Sequence, residues 1–270
     1  MQEIKLLPGQ EWTDATVAWR FVLMRRGAAY WLSAANSRSL AESEMILAAP
    51  GVTVTLRASQ LGEVVLYSFN FAPDLLCGFF TPAERHFLQT GGLEGFRDVE
   101  FIPSTHPAAQ QFSRLTESGS RPGSLAQRVG ALNLAATVFD QALSRHTAAA
   151  MPGTGVSRRF TQLITQMADA ELINYSPEQL ARLCGCSQRH FSRLFRKRFG
   201  VSPRAHQTEL RLLRAGQFLR DTESRIAQVA CESGYPNLSL FNSLFKKRFG
   251  VTPSQYRRNA AITGRQSPQP

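Results

Sequence analysis

One segment with helical spacing of its apolar residues occurs twice in the C-terminal half of the chain. The first copy is FSRLFRKRFGVSP, residues 191–203, and the second is FNSLFKKRFGVTP, residues 241–253, with nine identical positions. In both copies the apolar residues fall at i, i+3, i+4 and i+8, which is one stripe of an α-helix. The recurrence predicts one helical element used twice.

Capping signals flank the repeated helix. Gly200 and Gly250 follow the last apolar residue of each copy, where a left-handed C-terminal cap is common. Ser202-Pro203 and Thr252-Pro253 then supply an N-cap and a first-turn proline for another helix. The pattern therefore predicts two short helices, each apolar on one side and polar or cationic on the other.

The residues before the first copy complete a helix-turn-helix pattern. Ser157–Leu172 has the spacing of an amphipathic helix, and Ser176 begins a capping box for a second helix. A turn at Cys184–Cys186 leads to Ser187, the expected N-cap of the first repeated helix.

The second copy lies in a matching context. Pro203–Arg220 is predicted to be one long helix, and Ser224 and Asn237 are expected to cap the two helices that follow. The C-terminal half is therefore predicted to be an all-α domain of two helix-turn-helix units joined by a long helix.

Short apolar or alternating segments predict strands in the N-terminal half. A turn is expected at residues 36–38, and the predicted strands are Ala18–Arg25, Ala29–Ala34, Met45–Ala48, Val52–Leu56, Val64–Phe71 and Phe96–Pro103. Their spacing favours a small antiparallel β-barrel with flanking helices, so the whole chain is assigned to the α+β class.

A long helix is expected from Ser120 to His146. It carries a heptad stripe that suits pairing with the same helix of a second copy, and packing onto its own strands is the alternative. The residues proposed for dimerisation are Leu125, Val129, Leu132, Phe139 and Leu143.

Charge is distributed unevenly along the 270 residues, a length that suits two domains. Residues 157–258 hold 18 Lys and Arg against seven Asp and Glu, and this segment accounts for the net charge of +11. A basic domain beside a nearly neutral one points to a polyanionic partner, whereas a solvated cationic face without a ligand is the alternative.

The sequence contains no pattern typical of an enzyme active site or a metal site. Cys184 and Cys186 lack a second Cys or His pair at zinc spacing, so they are interpreted as ordinary helix and turn thiols. No serine elbow, phosphate loop or metal-binding His pair is present. Neither a metal nor another cofactor is expected, and the few cysteines and the absence of apolar spans favour a cytoplasmic protein without membrane partners.

A small barrel can hold a ligand. The residues proposed to line such an effector pocket are Trp19, Arg20, Trp31, Arg57 and Phe69. The alternatives are that the aromatic residues are core and that the two arginines face solvent.

The pair of predicted helix-turn-helix units resembles the AraC/XylS-type transcriptional regulators. Residues 156–258 carry the resemblance, above all IAQVACESGYPNLSLFNSLFKKRFGVTPSQYRR at residues 226–258. The resemblance implies a cupin-like effector-binding and dimerisation domain at 1–146 and a DNA-binding domain at 157–258. The small, polar and glycine-containing composition of the segment between them predicts a linker at 147–156, and residues 259–270 are predicted to be a disordered tail. The resemblance also implies double-stranded promoter DNA, a second copy of the chain, RNA polymerase and a small-molecule effector as partners.

Motif matching places base-reading positions on both repeated helices: Arg189, Ser192 and Arg193 on the first, and Leu238, Ser239, Asn242 and Ser243 on the second. The family often has Arg where this chain has Ser243. From side-chain chemistry, Arg189 and Arg193 suit bidentate contacts with guanine. Side chains further along each helix suit phosphate contacts, namely Arg196, Lys197, Lys246 and Lys247.

The function expected from these features is sequence-specific DNA binding by a transcription regulator that acts as an activator when its effector is bound. The alternative is a cytoplasmic sugar-binding protein or barrel enzyme whose basic domain is only a docking module. A third possibility keeps the DNA-binding domain and makes the N-terminal domain a dimerisation module without an effector.

Overall fold

Two antiparallel sheets form the N-terminal part of the protein. The computed structural model describes residues 1–33, 37–76, 79–90, 98–117, 124–149 and 155–265. Within these ranges the strands are β1 (Gln2–Leu6), β2 (Glu11–Ala15), β3 (Trp19–Arg26), β4 (Ala29–Leu32), β5 (Ser37–Leu40), β6 (Met45–Ala48), β7 (Thr53–Ala58), β8 (Val64–Phe71) and β9 (Val99–Ile102). One sheet has the order β1-β8-β3-β6-β9 and the other β2-β7-β4-β5.

The two sheets pack face to face around a shared apolar core. Val22 and Ile46 from the first sheet and Val54 and Leu56 from the second belong to one buried cluster. The alternation of strand side chains sends neighbouring residues to opposite faces, so Trp19 and Phe21 lie on the other side of the first sheet. The expected antiparallel α+β architecture is confirmed. The pairings among the described strands form two separate sheets and do not close them into one barrel.

Helices cover the outer face of the first sheet. The helices in this part of the chain are α1 (Pro82–Thr90), α2 (Pro107–Glu117) and α3 (Leu125–Ala149). Phe139 of α3 meets the edge of Trp19 with ring centroids 4.7 Å apart, and Phe112 of α2 meets Phe69 at 5.3 Å. Aromatic residues therefore join these two helices to the sheet.

The C-terminal part is helical. It contains α4 (Val156–Gln166), α5 (Asp169–Leu172), α6 (Pro177–Leu183), α7 (Gln188–Phe199), α8 (Pro203–Asp221), α9 (Ile226–Glu232), α10 (Leu238–Phe249) and α11 (Pro253–Arg265). Two buried clusters form its core. One is centred on Phe191 and Phe195 of α7, and the other on Phe241 and Phe245 of α10.

The chain divides into two compact units. The sheet unit comprises Met1–Pro73 and Phe87–Ala149, and the helical unit comprises Asp74–His86 together with the chain from Ala150 onward. The sequence predicts that residues 74–86 belong to the N-terminal domain. This segment instead belongs to the helical unit, because its side chains make ion pairs there, as described below.

Several expectations from local sequence are wrong. Ser37–Leu40 is a strand rather than part of a turn, since it pairs with β4 with Arg38 opposite Trp31. The helix predicted over Ser157–Leu172 is interrupted, because Met167 adopts an extended backbone between α4 and α5. Arg225, without a side-chain cap, takes the place expected for Ser224.

The predicted linker and tail also differ from the structure. Residues 147–149 are the end of α3, and most of the remaining linker lies outside the described residues. Residues 259–265 are the end of α11, so the prediction of a disordered tail is wrong for these residues. Residues 266–270 lie outside the described part of the chain.

The five residues proposed for dimerisation differ in how far they are buried. Phe139 is buried against Trp19 and other aromatic rings of its own unit, so its assignment to a dimer interface is wrong. Leu125 and Val129 are exposed, whereas Leu132 and Leu143 are half-buried. A dimer contact through these four residues stays a prediction.

Gly200 offers a test of the backbone conformation between α7 and α8. Its φ is 73°, and a Cβ at this position would meet no atom within 4 Å, so Gly200→Ala adds backbone strain without a steric clash. We expect a loss of about 1 kcal/mol in the free energy of unfolding. The matched control is Gly216→Ala in the interior of α8, where the Cβ makes ordinary 3.5 Å contacts and should stabilise by about 0.5–1 kcal/mol. Urea unfolding of both variants measures the difference, and equal effects would contradict the left-handed cap.

Candidate nucleic-acid interface

Backbone caps define the first helix-turn-helix. Ser176 forms a complete capping box with Gln179, which starts α6. The turn after α6 contains Gly185 at φ 64°, and Arg159 of α4 donates its Nε hydrogen to the Cys184 carbonyl at 2.7 Å. Ser187 then caps α7 by accepting the amide hydrogen of His190 at 3.3 Å. These contacts fix the point at which the first repeated helix begins.

A row of phenylalanines anchors α7. Phe191 and Phe195 are fully buried, Phe199 is nearly so, and Phe160 of α4 packs its edge on Phe191. The apolar stripe predicted from the repeat is therefore the buried side of the helix. Leu194 packs against the same buried cluster, whereas Arg193, Arg196 and Lys197 are exposed on the opposite side of the helix.

The outward side of α7 gathers all five residues predicted to contact DNA from the first helix. A concavity of about 490 Å³ is lined by Arg189, Ser192, Arg193, Arg196 and Lys197. The four cations are exposed and Ser192 is half-buried. The Arg193 Nη2 lies 3.0 Å from the Nδ1 of His190, a neighbour that sequence reasoning did not select. We call this set the first reader surface.

The second helix-turn-helix repeats the same construction. Asn237 accepts the amide hydrogen of Leu240 at 2.9 Å and caps α10, and Phe241 and Phe245 are fully buried. The outward residues of α10 are all exposed: Leu238, Ser239, Asn242, Ser243, Lys246 and Lys247. We call this set the second reader surface. It is less cationic than the first over its N-terminal turns.

The long helix α8 connects the two helix-turn-helix units through polar contacts with both. Gln207 donates to the carbonyls of Leu172 at 2.9 Å and Tyr175 at 2.7 Å, which hold the end of α5. On the other side, the Tyr235 hydroxyl donates to the Thr208 carbonyl at 3.1 Å. Burial raises the pKa of Tyr235 to about 12, so this hydroxyl keeps its proton at neutral pH. Adjacent residues of α8 therefore contact the segment before α6 and the turn before α10.

The residues proposed for an effector pocket do not come together. Trp19 and Phe69 lie on the helix-covered face of the first sheet, where the Trp19 Nε1 donates to the Leu88 carbonyl at 2.8 Å. Arg57 is exposed on the outer face of the second sheet and pairs with Glu11. The assignment of these three residues to one pocket is wrong, because neighbouring strand positions point to opposite faces.

Arg20 and Trp31 do point into the space between the sheets. Arg20 is 6% exposed, forms an ion pair with Asp14 and donates to the Ser68 hydroxyl at 3.0 Å. Its guanidinium carbon lies 5.8 Å from the centre of the Trp12 ring. Burial lowers the pKa of Arg20, and the charge of Asp14 opposes this shift. Sequence reasoning missed Asp14 and Trp12, although their parity in β2 places both on the inner face.

Two hydrogen-bond donors between the sheets lack an acceptor. Among the described residues, the Arg20 Nε and the Trp31 Nε1 are buried and make no hydrogen bond. Leaving such a donor unpaired costs about 1–3 kcal/mol, so native proteins rarely do so without a reason. These two atoms are therefore the part of the sheet unit best suited to meeting a polar ligand.

The cysteines and acidic residues do not form a metal site in the described part of the chain. No group of three or more His, Cys, Asp and Glu residues there is arranged to hold an ion. Burial raises the pKa of the Cys184 thiol to about 11, which keeps it protonated and unreactive at neutral pH. Among the described helices, none combines the length and apolar character needed to cross a membrane.

Comparison with protein families identifies the helical unit. Residues 180–259, from α6 to α11, match the family model described as a helix-turn-helix domain. This segment is an AraC-type helix-turn-helix domain. The resemblance carried by the repeated motif is thereby confirmed for this part of the chain, and the match includes both reader surfaces.

Two curated relatives align with the AraC-type domain. The lactose operon transcription activator of Staphylococcus xylosus is 32% identical over 89 residues, which cover 33% of this chain and 32% of that protein. An uncharacterized HTH-type transcriptional regulator of Haemophilus influenzae is 34% identical over 85 residues, covering 32% of this chain and 28% of its own. The match thus spans about a third of each relative's length. Both relatives are named as transcription regulators rather than enzymes.

Two solved structures are similar to part or most of this chain. A transcriptional regulator with an AraC-type DNA-binding domain from Chromobacterium violaceum is 33% identical and covers 32% of this chain and 78% of its own, with a TM-score of 0.31. ToxT from Vibrio cholerae is 12% identical and covers 95% of both chains, with a TM-score of 0.39. Both TM-scores are below 0.5, so the architecture given above rests on this chain's own strands and helices.

Lys246 is expected to contact phosphate, because it is exposed on α10 beyond the residues that suit base contacts. Lys246→Ala should make the slope of log affinity against log salt concentration shallower by about one unit. The control is Lys5→Ala, which removes an exposed lysine from the sheet unit and should leave the slope unchanged. A salt titration of binding to a random-sequence duplex measures both. An unaltered slope for Lys246→Ala would count against the phosphate contact.

Proposed function

We propose that the protein is a transcription regulator that binds double-stranded promoter DNA in a sequence-specific manner through the two reader surfaces of its AraC-type domain. The observation that carries this proposal is the outward position of the predicted DNA-contacting residues on α7 and α10, all of which are exposed except the half-buried Ser192. Each helix is anchored from behind by buried phenylalanines.

The two reader surfaces suit the major groove of DNA. An α-helix fits this groove, and Arg189 and Arg193 lie one turn apart on the exposed side of α7. Arginine forms two hydrogen bonds with guanine, which gives base recognition. Arg196, Lys197, Lys246 and Lys247 add phosphate contacts, which give affinity without sequence preference.

An activator role is part of the proposal. It is supported by the name of the Staphylococcus xylosus relative and by the resemblance of the repeated motif. Contact with RNA polymerase and formation of a homodimer stay predictions from the same resemblance. A promoter–reporter assay with and without the protein tests the direction of regulation, since an activator raises transcription from the bound promoter.

Arg193→Ala tests sequence recognition directly. A bidentate contact with a base is worth roughly 1–3 kcal/mol, so the ratio of affinities for a selected duplex and a scrambled one should fall by roughly 5- to 150-fold. The duplex is first enriched from a random library by the full-length protein. Binding to scrambled DNA should fall much less, because other cations remain.

Arg182→Ala is the matched control for Arg193→Ala. Arg182 is an exposed arginine of α6 in the same domain and pairs with Glu178. Its removal takes away one positive charge and should leave the ratio between selected and scrambled DNA unchanged. Equal weakening on both duplexes by Arg193→Ala would refute a base-reading role.

We also propose that the space between the two sheets takes a small effector. Support comes from the unpaired donors of Arg20 and Trp31. Because Asp14 already balances the charge of Arg20, an uncharged ligand with hydroxyl or carbonyl acceptors suits the site better than an anion. Such a ligand would supply the missing acceptors without burying a further charge.

The effector is tested by thermal unfolding of the full chain with a panel of uncharged polyols and sugars and their acidic counterparts. A ligand at 100 times its Kd stabilises the folded state by about 2.7 kcal/mol, which raises Tm. Trp31→Phe keeps the ring and removes the donor, so the shift should shrink. If no uncharged compound raises Tm, or if only the acids do, the proposed ligand class is wrong.

A further inference from the structure

The segment Asp74–His86 is attached to α5, which precedes the first helix-turn-helix, and to α10 of the second. Arg85 is 1% exposed, and its Nε donates to the Oδ2 of Asp169, which is fully buried at the start of α5. The backbone amide of Asp169 also donates to the Phe80 carbonyl at 2.8 Å. One end of this segment is thus held by an ion pair and a main-chain hydrogen bond on α5, whose Leu172 belongs to the same buried cluster as Phe191 of α7.

Asp74 continues these contacts to the second helix-turn-helix. One carboxylate oxygen lies 3.6 Å from the Nη1 of Arg85, and the other accepts from the Nη2 of Arg248 at 3.1 Å. Arg248 belongs to α10, which carries the second reader surface, and its Nε donates to Glu209 of α8. A network of alternating charges therefore connects α5 to α10, and its members are Asp169, Arg85, Asp74 and Arg248.

Arg248 forms ion pairs with the carboxylates of Asp74 and Glu209. Burial acts to lower its pKa, but the hydrogen bonds and charges of Glu209 and Asp74 outweigh burial and raise it. The planar guanidinium binds one carboxylate through Nε and the other through Nη2, which restrains the direction of the side chain. Its neighbours Lys246 and Lys247 are exposed, and within the described part of the chain neither forms an ion pair.

We propose that Asp74 is a positioning residue for paired DNA reading: by bridging Arg85 and Arg248 it sets the position of the second reader surface relative to the first. This inference rests on the proposed function. Asp74 does not contact DNA in this role. It acts on the spacing of half-sites that the protein prefers, because two rigidly related helices accept one separation along the duplex better than others.

The test uses the full chain and a two-half-site duplex enriched from a random library. Further duplexes lengthen or shorten the spacer by one to three base pairs, and one has a scrambled half-site. Asp74→Asn should lower the ratio of affinities for the native and shifted spacings by about fivefold, a size typical of coupling within one network. Affinity for the single half-site should stay unchanged, and Asp74→Glu, which keeps the carboxylate, should retain most of the preference.

Glu171→Gln is the matched control, since it removes one negative charge from an exposed position of α5 in the same unit. It should leave the spacing preference unchanged. Asp74 is only partly buried, so the Asn variant should fold, which circular dichroism checks. As a second measurement, Arg248→Gln should lower the preference like Asp74→Asn, and the double variant should lower it no further.

The outcomes separate this inference from the proposed function. A wild-type protein that binds the selected half-sites no better than scrambled DNA would overturn both, whereas a wild-type protein that prefers them but shows no spacing preference would overturn the positioning role alone. A wild-type preference that Asp74→Asn retains, or that Asp74→Asn and Arg248→Gln reduce additively, would overturn the positioning role alone. If Asp74→Asn lowers the affinity for single and paired half-sites equally, the positioning role is also overturned, because that result indicates a general structural defect.

Discussion

Burial of the phenylalanine stripe determines which residues of each repeated helix face solvent. Phe191 and Phe195 of α7, like Phe241 and Phe245 of α10, are fully removed from water. Full burial of a phenylalanine stabilises the folded state by about 1.5–3 kcal/mol. Rotating either helix by one residue would expose these rings, and the loss of stability would exceed the roughly 0–1 kcal/mol that a surface ion pair contributes. The outward orientation of the arginines and lysines follows from this constraint and needs no bound DNA. The reader surfaces are therefore formed in advance of binding.

Features that depend on neighbouring residues in the chain could be predicted from the sequence. The caps at Ser187 and Asn237 and the left-handed glycines at 200 and 250 lie where the repeat placed them. Each of these involves hydrogen bonds within a few residues, which the sequence pattern encodes directly. The same locality explains why all the predicted reader residues of α7 line one concavity.

Features that depend on distant partners could not be predicted in this way. Residues 36–38 have the composition of a turn, yet Ser37–Leu40 is a strand because β4 pairs with it. Alternation along β3 separates Trp19 from Arg20 but does not reveal which face meets the second sheet and which meets helices. Phe139 has the heptad spacing of a dimer contact, yet the aromatic rings of its own sheet unit cover it.

The ion pairs of Asp74–His86 show the same limit most clearly. Arg85 and Asp169 are 84 residues apart in the chain, and Asp74 and Arg248 are 174 apart. A buried pair such as Arg85–Asp169 adds little net stability, because the desolvation of both charges offsets their attraction. Breaking it leaves an unbalanced buried charge, so its main effect is to hold this segment in one place. Contacts of this kind select an arrangement rather than strengthen the fold.

The two reader surfaces differ in chemistry, and this difference bears on the DNA that a paired reader would prefer. The first presents Arg189 and Arg193 at positions predicted to read bases, and arginine suits guanine. The second presents Leu238, which is 41% exposed, together with Asn242; a leucine suits the methyl group of thymine and an asparagine suits adenine. Under the proposed function, one copy of the chain would bind two unlike half-sites in a fixed order. The preferred site for a single copy would then be asymmetric, and it would have a direction along the promoter that the order of the two helix-turn-helix units sets.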